Sequence, residues 1–197
     1  KAARWVRGNL FFPDPRKGWN KYAIAMAESI IKHENISGVI TAGPPQSTHL
    51  IGKYLKKKHG LFWLCDFHDA WTNVWYYNEL LKTSLAKSYD TKMELSVLKE
   101  ADKIITVGEQ TIEDFKHKLG SAEKMSLHSM GYDDNVFAAQ TDVPTTSFVI
   151  TYTGTMASNY EPEIFFIAIK ELLQENNDWS ITVNLFGLIA DRIRGKY

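Results

Sequence analysis

The chain predicts an α/β fold, a parallel sheet with flanking helices followed by the opening β-α-β unit of a second domain of the same kind. Three observations predict it. Short apolar, strand-like runs alternate with helical patterns along most of the 197 residues, which is the mark of βαβ units and a parallel sheet. Two of those runs end in chemistry, at Gly43-Pro44-Pro45-Gln46-Ser47-Thr48-His49 and at Asp66-Phe67-His68-Asp69, the strand ends at which α/β sheets bind ligands. A polar, aperiodic stretch from Asp133 to Thr146, carrying Pro144, interrupts the alternation before it resumes.

Each element follows from local pattern. Trp19 to His33 reads as a helix, and Ile36 to Ala42 as a strand ended by Gly-Pro-Pro. Gln46 to Lys58 places Leu50, Ile51, Tyr54 and Leu55 on one helical face. Leu61 to Asp66 is a strand, Ser84 to Glu100 an amphipathic helix, and Lys103 to Val107 a β-branched strand. Gln110 to Leu119 is a helix with Glu113 and Asp114 early in it, where acidic groups suit the dipole. Met125 to His128 is a short strand. Beyond the polar stretch, Phe148 to Tyr152 and Ile181 to Phe186 are strands around a helix over Glu163 to Glu175, with Pro162 at its start. The expected domains are residues 1–144 and 145–197.

Composition narrows the function classes. Lys+Arg and Asp+Glu are both 23, so the basic excess of a nucleic-acid binder is missing and no nucleic-acid partner is expected. Cys65 is the one cysteine; it cannot form an internal disulfide, which favours a reducing compartment. No apolar run approaches the ~20 residues that span a bilayer, and no secretory leader pattern is seen. The expected location is the cytoplasm. The chain starts at Lys1, so preceding residues of the natural protein are expected.

Three loops carry candidate chemistry. A helix opening at Gln46-Ser47-Thr48-His49 offers free N–H groups and a dipole to an anion or a sugar hydroxyl; alternatively Ser47 or Thr48 caps the helix. Asp66, His68 and Asp69 are denser in ionisable groups than a turn needs, and a His beside carboxylates can orient, hydrogen-bond a hydroxyl or shuttle a proton. The alternative is a turn held by an Asp–His hydrogen bond. No second His or Cys lies at metal-ligand spacing, so no metal is expected. In Tyr152-Thr153-Gly154-Thr155, a glycine at a strand end lets backbone approach a phosphate. The chain lacks G-x-G-x-x-G, G-x-x-x-x-G-K-[ST] and G-x-S-x-G, against dinucleotide binding, a P-loop NTPase or a serine hydrolase. Two aromatic clusters remain, Trp71, Trp75, Tyr76 and Tyr77 in one and Arg4-Trp5-Val6-Arg7 with Phe11, Phe12 and Trp19 in the other. Such groups pack in cores, stack on sugars or lie against membrane headgroups. Trp71 follows His68-Asp69 closely, which suggests a place at the mouth of a cleft.

Together, Gly43 to Gly52, Asp66-Phe67-His68-Asp69-Ala70-Trp71-Thr72, Ala101 to Glu109, Gly131-Tyr132-Asp133 and Ile150 to Thr155 resemble bacterial glycosyltransferases of family 4. The resemblance implies the GT-B fold, two Rossmann-like domains facing across a cleft. It also implies transfer of a sugar, with retention, from a nucleotide-diphosphate sugar as co-substrate, with no cofactor and no required metal. A saccharide or lipid-linked acceptor in cell-surface polysaccharide synthesis follows from the same resemblance, with peripheral contact at the inner face of the cytoplasmic membrane. Carried over position by position, it makes Asp66, His68 and Asp69 catalytic candidates. Gly43, Ser47, Thr48, His49 and Trp71 become substrate-binding candidates, and Gly154 and Thr155 donor-binding ones.

The chain departs from the family at several places. The family's Asp-Phe-Arg-Asp-Pro-Trp has His68 for the Arg and Ala70 for the Pro, and its Asn-Gly is Met130-Gly131 here. The family's donor-phosphate Lys or Arg and its Glu-x7-Glu element belong later than Tyr197, and its glycine-rich first loop belongs earlier than Lys1. Residues 1–197 are therefore expected to be an internal piece, inactive alone, covering most of the acceptor-side domain and the start of the donor-binding one. A non-catalytic sugar- or phosphate-binding module, or a polysaccharide-assembly protein, is the alternative.

Overall fold

A computed structural model describes residues 1–74, 76–137 and 148–196. The chain forms two compact units, Lys1–Tyr132 and Asp133–Tyr197. Trp75 and most of the expected linker, 138–147, lie outside the described residues; Asp134–Phe137 just before them is a single 3-10 turn.

The first unit is a Rossmann-like α/β layer. Strands β1 (Gly38–Gly43), β2 (Phe62–Phe67), β3 (Lys103–Thr106) and β4 (Met125–Leu127) form a parallel sheet in the order β1-β2-β3-β4. Helices α1 (Ala2–Leu10) and α2 (Asn20–His33) precede it. Helices α3 (Ser47–His59), α4 (Ser84–Glu100) and α5 (Glu109–Leu119) make the crossovers. The register aligns Gly43 with Phe67, Phe67 with Thr106 and Thr106 with Leu127. These four residues form one row at the carboxyl edge of the sheet.

Strand alternation gives the sheet two unequal faces. Thr41, Gly43, Trp63, Cys65, Phe67, Ile104 and Thr106 share the buried face. Trp63, Cys65 and Phe67 pack there with Trp71, Val97, Leu98, Ala101, Ile104 and Phe115. A second cluster, Ile51, Leu55 and Leu61, is covered by Ala23, Ile24, Ala27 and Ile31 of α2. The other face, carrying Ile40, Phe62, Leu64 and Asp66, is more open, and Ile40 is 72% exposed.

Contacts distant in sequence hold the elements that local pattern does not predict. Helix α1 docks on the 3-10 turn Tyr77–Leu80; a Cβ at Gly8 would lie 2.2 Å from the Leu80 carbonyl oxygen. Asn9 donates to the Leu81 carbonyl and accepts from the Thr83 N–H. Thr83 in turn caps α4 by accepting from the Ala86 N–H.

The second unit is a β-α-β pair. Strand β5 (Phe148–Thr153), helix α6 (Glu163–Glu175) and strand β6 (Ile181–Phe186) give two parallel strands in register from Phe148–Ile181 to Thr153–Phe186. A short helix α7 (Asp191–Arg194) follows. Among the described residues of the second unit, Met156 and Ile193 are the buried apolar ones. No helix among the described residues is long and apolar enough to cross a membrane.

Candidate functional site

The β1–α3 loop departs from the expectation of a vacant helix start. The Ser47 N–H donates to Asp14 Oδ2 at 2.8 Å, and Ser47 Oγ donates to Asp14 Oδ1 at 3.1 Å. The next two N–H groups, of Thr48 and His49, donate to the carbonyls of Pro45 and Gln46. The first N–H groups of α3 are thus taken, and the anion at the dipole is the chain's own carboxylate. Ser47 is fully buried and Thr48 half-buried. Asp14 is held between Pro13 and Pro15 and accepts from the Arg16 N–H at 2.8 Å. It carried no sequence signal, because its partner Ser47 lies 33 residues away.

His49 is a core residue. It is fully buried and stacks against Phe67, ring centroids 4.2 Å apart. Its Nδ1 shares a 2.9 Å hydrogen bond with Thr41 Oγ1, which also accepts from Trp63 Nε1 at 2.9 Å. Burial pushes the imidazole down to about 3, so it is neutral. His49 Nε2 and Gln46 Oε1 are both buried without a hydrogen-bond partner. They flank Gly43, where a Cβ would lie 2.6 Å from the one and 2.7 Å from the other.

Asp66 and His68 come together. Both follow the open-face parity of β2, and His68 Nε2 lies 3.1 Å from Asp66 Oδ2. A carboxylate only accepts, so Nε2–H is the donor. In the neutral imidazole this is the tautomer that leaves the Nδ1 lone pair available, on a side chain 46% exposed. Asp69 is exposed, and its backbone carbonyl accepts from Gln46 Nε2 at 3.3 Å. The His68 N–H donates to the Gly43 carbonyl at 3.0 Å. The two loops therefore meet through backbone at the sheet edge. Their side chains divide, with His49 on the buried face and Asp66 and His68 on the open one.

Trp71, expected at a cleft mouth, is 3% exposed and belongs to the core. Its indole N–H donates to Asp90 Oδ1 at 3.0 Å. Asp90 also accepts from Tyr77 Oη at 2.9 Å and pairs with Lys82 at 2.5 Å, both charged side chains being 2% exposed. Burial, and then the Asp90 charge, pushes the Tyr77 hydroxyl up. A buried carboxylate demands such partners, and the indole N–H supplies one, which draws Trp71 inward. Thr72 is likewise tied by its N–H and hydroxyl to the buried Glu94, which Lys118 also contacts. Burial pushes the Glu94 carboxyl up. Cys65 is no nucleophile, since burial pushes its thiol up to about 12.

Beside these groups lies a cavity of about 300 Å³, lined on its polar side by Arg7, Asp14, Arg16, Gln46, Tyr76 and Lys82 and on its apolar side by Trp71 and Val74. Sequence reading missed it because α1, the Pro13–Arg16 segment and the loop after Trp71 meet only in three dimensions.

In the second unit, Gly154 has φ +145 and Gly187 φ +128. A Cβ at Gly187 would lie 2.0 Å from the Gly154 carbonyl oxygen, so the two strand-end loops touch backbone to backbone. Tyr152 Oη donates to the Thr155 carbonyl at 3.0 Å. Gly154 and Thr155 are both exposed.

Among the described residues no group of three or more His, Cys, Asp or Glu is placed to hold a metal ion. No protein-family model and no curated protein sequence matches the chain.

Proposed function

We propose that the chain belongs to a retaining glycosyltransferase of family 4 type with GT-B architecture. It transfers a sugar from a nucleotide-diphosphate sugar to a saccharide or lipid-linked acceptor in cell-surface polysaccharide synthesis. One observation carries this reading. A hydrogen-bonded Asp66–His68 pair sits at the carboxyl end of β2 in a parallel sheet, within the Asp-Phe-His-Asp-Ala-Trp-Thr context that resembles the family. In this reading Asp66 orients His68 by accepting from Nε2, and Nδ1 accepts from a donor-sugar hydroxyl. Asp69 lies exposed at the same loop, for the sugar or the acceptor. Gly154 and Thr155 approach the donor diphosphate through backbone, without metal. The protein works in the cytoplasm at the inner membrane face, a place supported by Trp5, which follows Arg4 in the chain, and Trp19, which lines a recess with Arg16, at 45% and 46% exposed.

A second reading, a non-catalytic sugar- or phosphate-binding module, is favoured by the arginine-lined cavity. Incubating the full-length protein with nucleotide-diphosphate sugars and a membrane extract separates the two. Incorporation of label from one donor into a saccharide or lipid fraction is the expected result. Binding of a sugar phosphate with no transfer from any donor supports the module.

A further inference from the structure

We propose that the cavity bounded by Arg7, Arg16 and Gln46 is a binding site for a small phosphorylated sugar, separate from the Asp66–His68 pair. The site rests on geometry and on which charges are already engaged. Five charged side chains line it, Arg7, Arg16, Lys82, Asp14 and Asp90. Lys82 and Asp90 neutralise each other in a buried pair, while Asp14 is held by the neutral donors of Ser47 and the Arg16 N–H and keeps its charge, so the two arginines leave the lining net positive by one charge. Among the described residues, the guanidinium groups of Arg7 and Arg16 make no ion pair. The chain as a whole has zero net charge, so this positive recess is a local arrangement and not a consequence of composition.

Two guanidinium forks from separate elements, α1 and the Pro15–Trp19 turn, suit an anion with three free oxygens better than a carboxylate with two. The remaining walls suit a sugar. Tyr76 supplies ring surface, and Pro13, Pro44 and Pro45 supply apolar wall. An adjoining recess of about 400 Å³ shares Arg16 and Pro45 and adds Trp19, whose half-exposed indole offers a stacking face. A volume of about 300 Å³ lies at the lower end of small-ligand sites, the range of a monosaccharide phosphate. The site does not depend on the transferase reading.

Calorimetric titration of the intact chain with glucose 1-phosphate, methyl glucoside and glucuronate tests it. Glucose 1-phosphate is expected to bind, more weakly as salt rises, while the two controls bind at least about tenfold less well. R7Q and R16Q are each expected to weaken binding about tenfold. R4Q, whose arginine pairs with Glu79 outside the cavity, leaves it unchanged. Thermal melts check that the exposed arginine variants stay folded. A parallel arm uses phosphatidylcholine vesicles with and without phosphatidic acid. Sedimentation that needs phosphatidic acid together with Arg7 and Arg16 assigns the phosphate to a lipid, and titration with glucose 1-phosphate alone assigns it to a soluble sugar phosphate. Equal binding of methyl glucoside or glucuronate, or full affinity in the R7Q/R16Q double variant, overturns the proposal. Sugar transfer that persists in R7Q/R16Q leaves the transferase reading standing without this site, and phosphate binding without transfer does the reverse.

Discussion

His49 shows how a candidate ligand residue becomes a structural one. Its neutral ring is buried against Phe67 and bonded to Thr41, whereas in the unfolded chain it takes up a proton below about pH 6.5. The folded value is depressed to about 3. The stability it contributes is therefore complete above pH 6.5 and is lost as the pH falls from there toward 3. Urea unfolding at pH 7 and pH 5 checks this. The wild type is expected to lose about 2 kcal/mol more between the two pH values than His49→Phe, which keeps the stacking but has no proton to bind. Equal losses would mean that His49 is solvated. Its role was not legible in the sequence, because a His three residues into a helix reads the same whether it faces ligand or core. Only Thr41, Trp63 and Phe67, brought over it by the sheet, decide the matter. Trp71 is a similar case, since Asp90, which draws it inward, lies 19 residues on. The Asp66–His68 contact was legible, because residues two apart on a strand share a face.

At the scale of elements, α3 connects the fold to the site, and two contacts fix it. Gly52 lets α3 lie directly on the sheet; a Cβ there would lie 2.1 Å from Trp63 Nε1 and 2.7 Å from Thr41 Cγ2. Gly52→Ala gains about 1 kcal/mol of helix propensity but overpacks this contact. A net destabilisation of about 1–2 kcal/mol in urea unfolding is expected, while Gly131→Ala, with open space around it, changes little. At the amino end of α3, Asp14→Ala removes the carboxylate that caps Ser47 and is expected to cost about 1 kcal/mol by the same measurement. No change would mean that water replaces Asp14 at no cost. The regular elements were legible to within a residue or two, and α4, α6 and β6 at their exact ends, because apolar period and caps are local properties. Helix α1 and the turns at Pro15–Trp19 and Tyr77–Leu80 were not, because Asp14–Ser47, Asn9–Leu81 and Gly8–Leu80 contacts define them; nor were the single turns Asp134–Phe137 and α7, which are too short to show a period.

At the scale of the molecule, the βαβ alternation correctly indicated a parallel sheet, and the structure adds the division of its carboxyl edge into two sides. On one, α3 begins under the Asp14 carboxylate, beside the cavity lined by Arg7 and Arg16. On the other, Asp66 and His68 stand on the more open face. The sequence placed both loops at one edge but could not show this, since side-chain direction depends on where each strand ends relative to its loop. The most direct test of Asp66 and His68 as part of a sugar-transfer site is the initial rate of transfer from a nucleotide-diphosphate sugar by full-length protein carrying His68→Ala or Asp66→Asn. Both side chains are at least partly exposed, so melting temperatures should hold. His68→Ala should lower kcat about 100-fold or more and Asp66→Asn by a smaller factor, with His68→Arg recovering part of the rate. Unchanged kcat in both His68→Ala and Asp66→Asn would contradict a catalytic role for the pair.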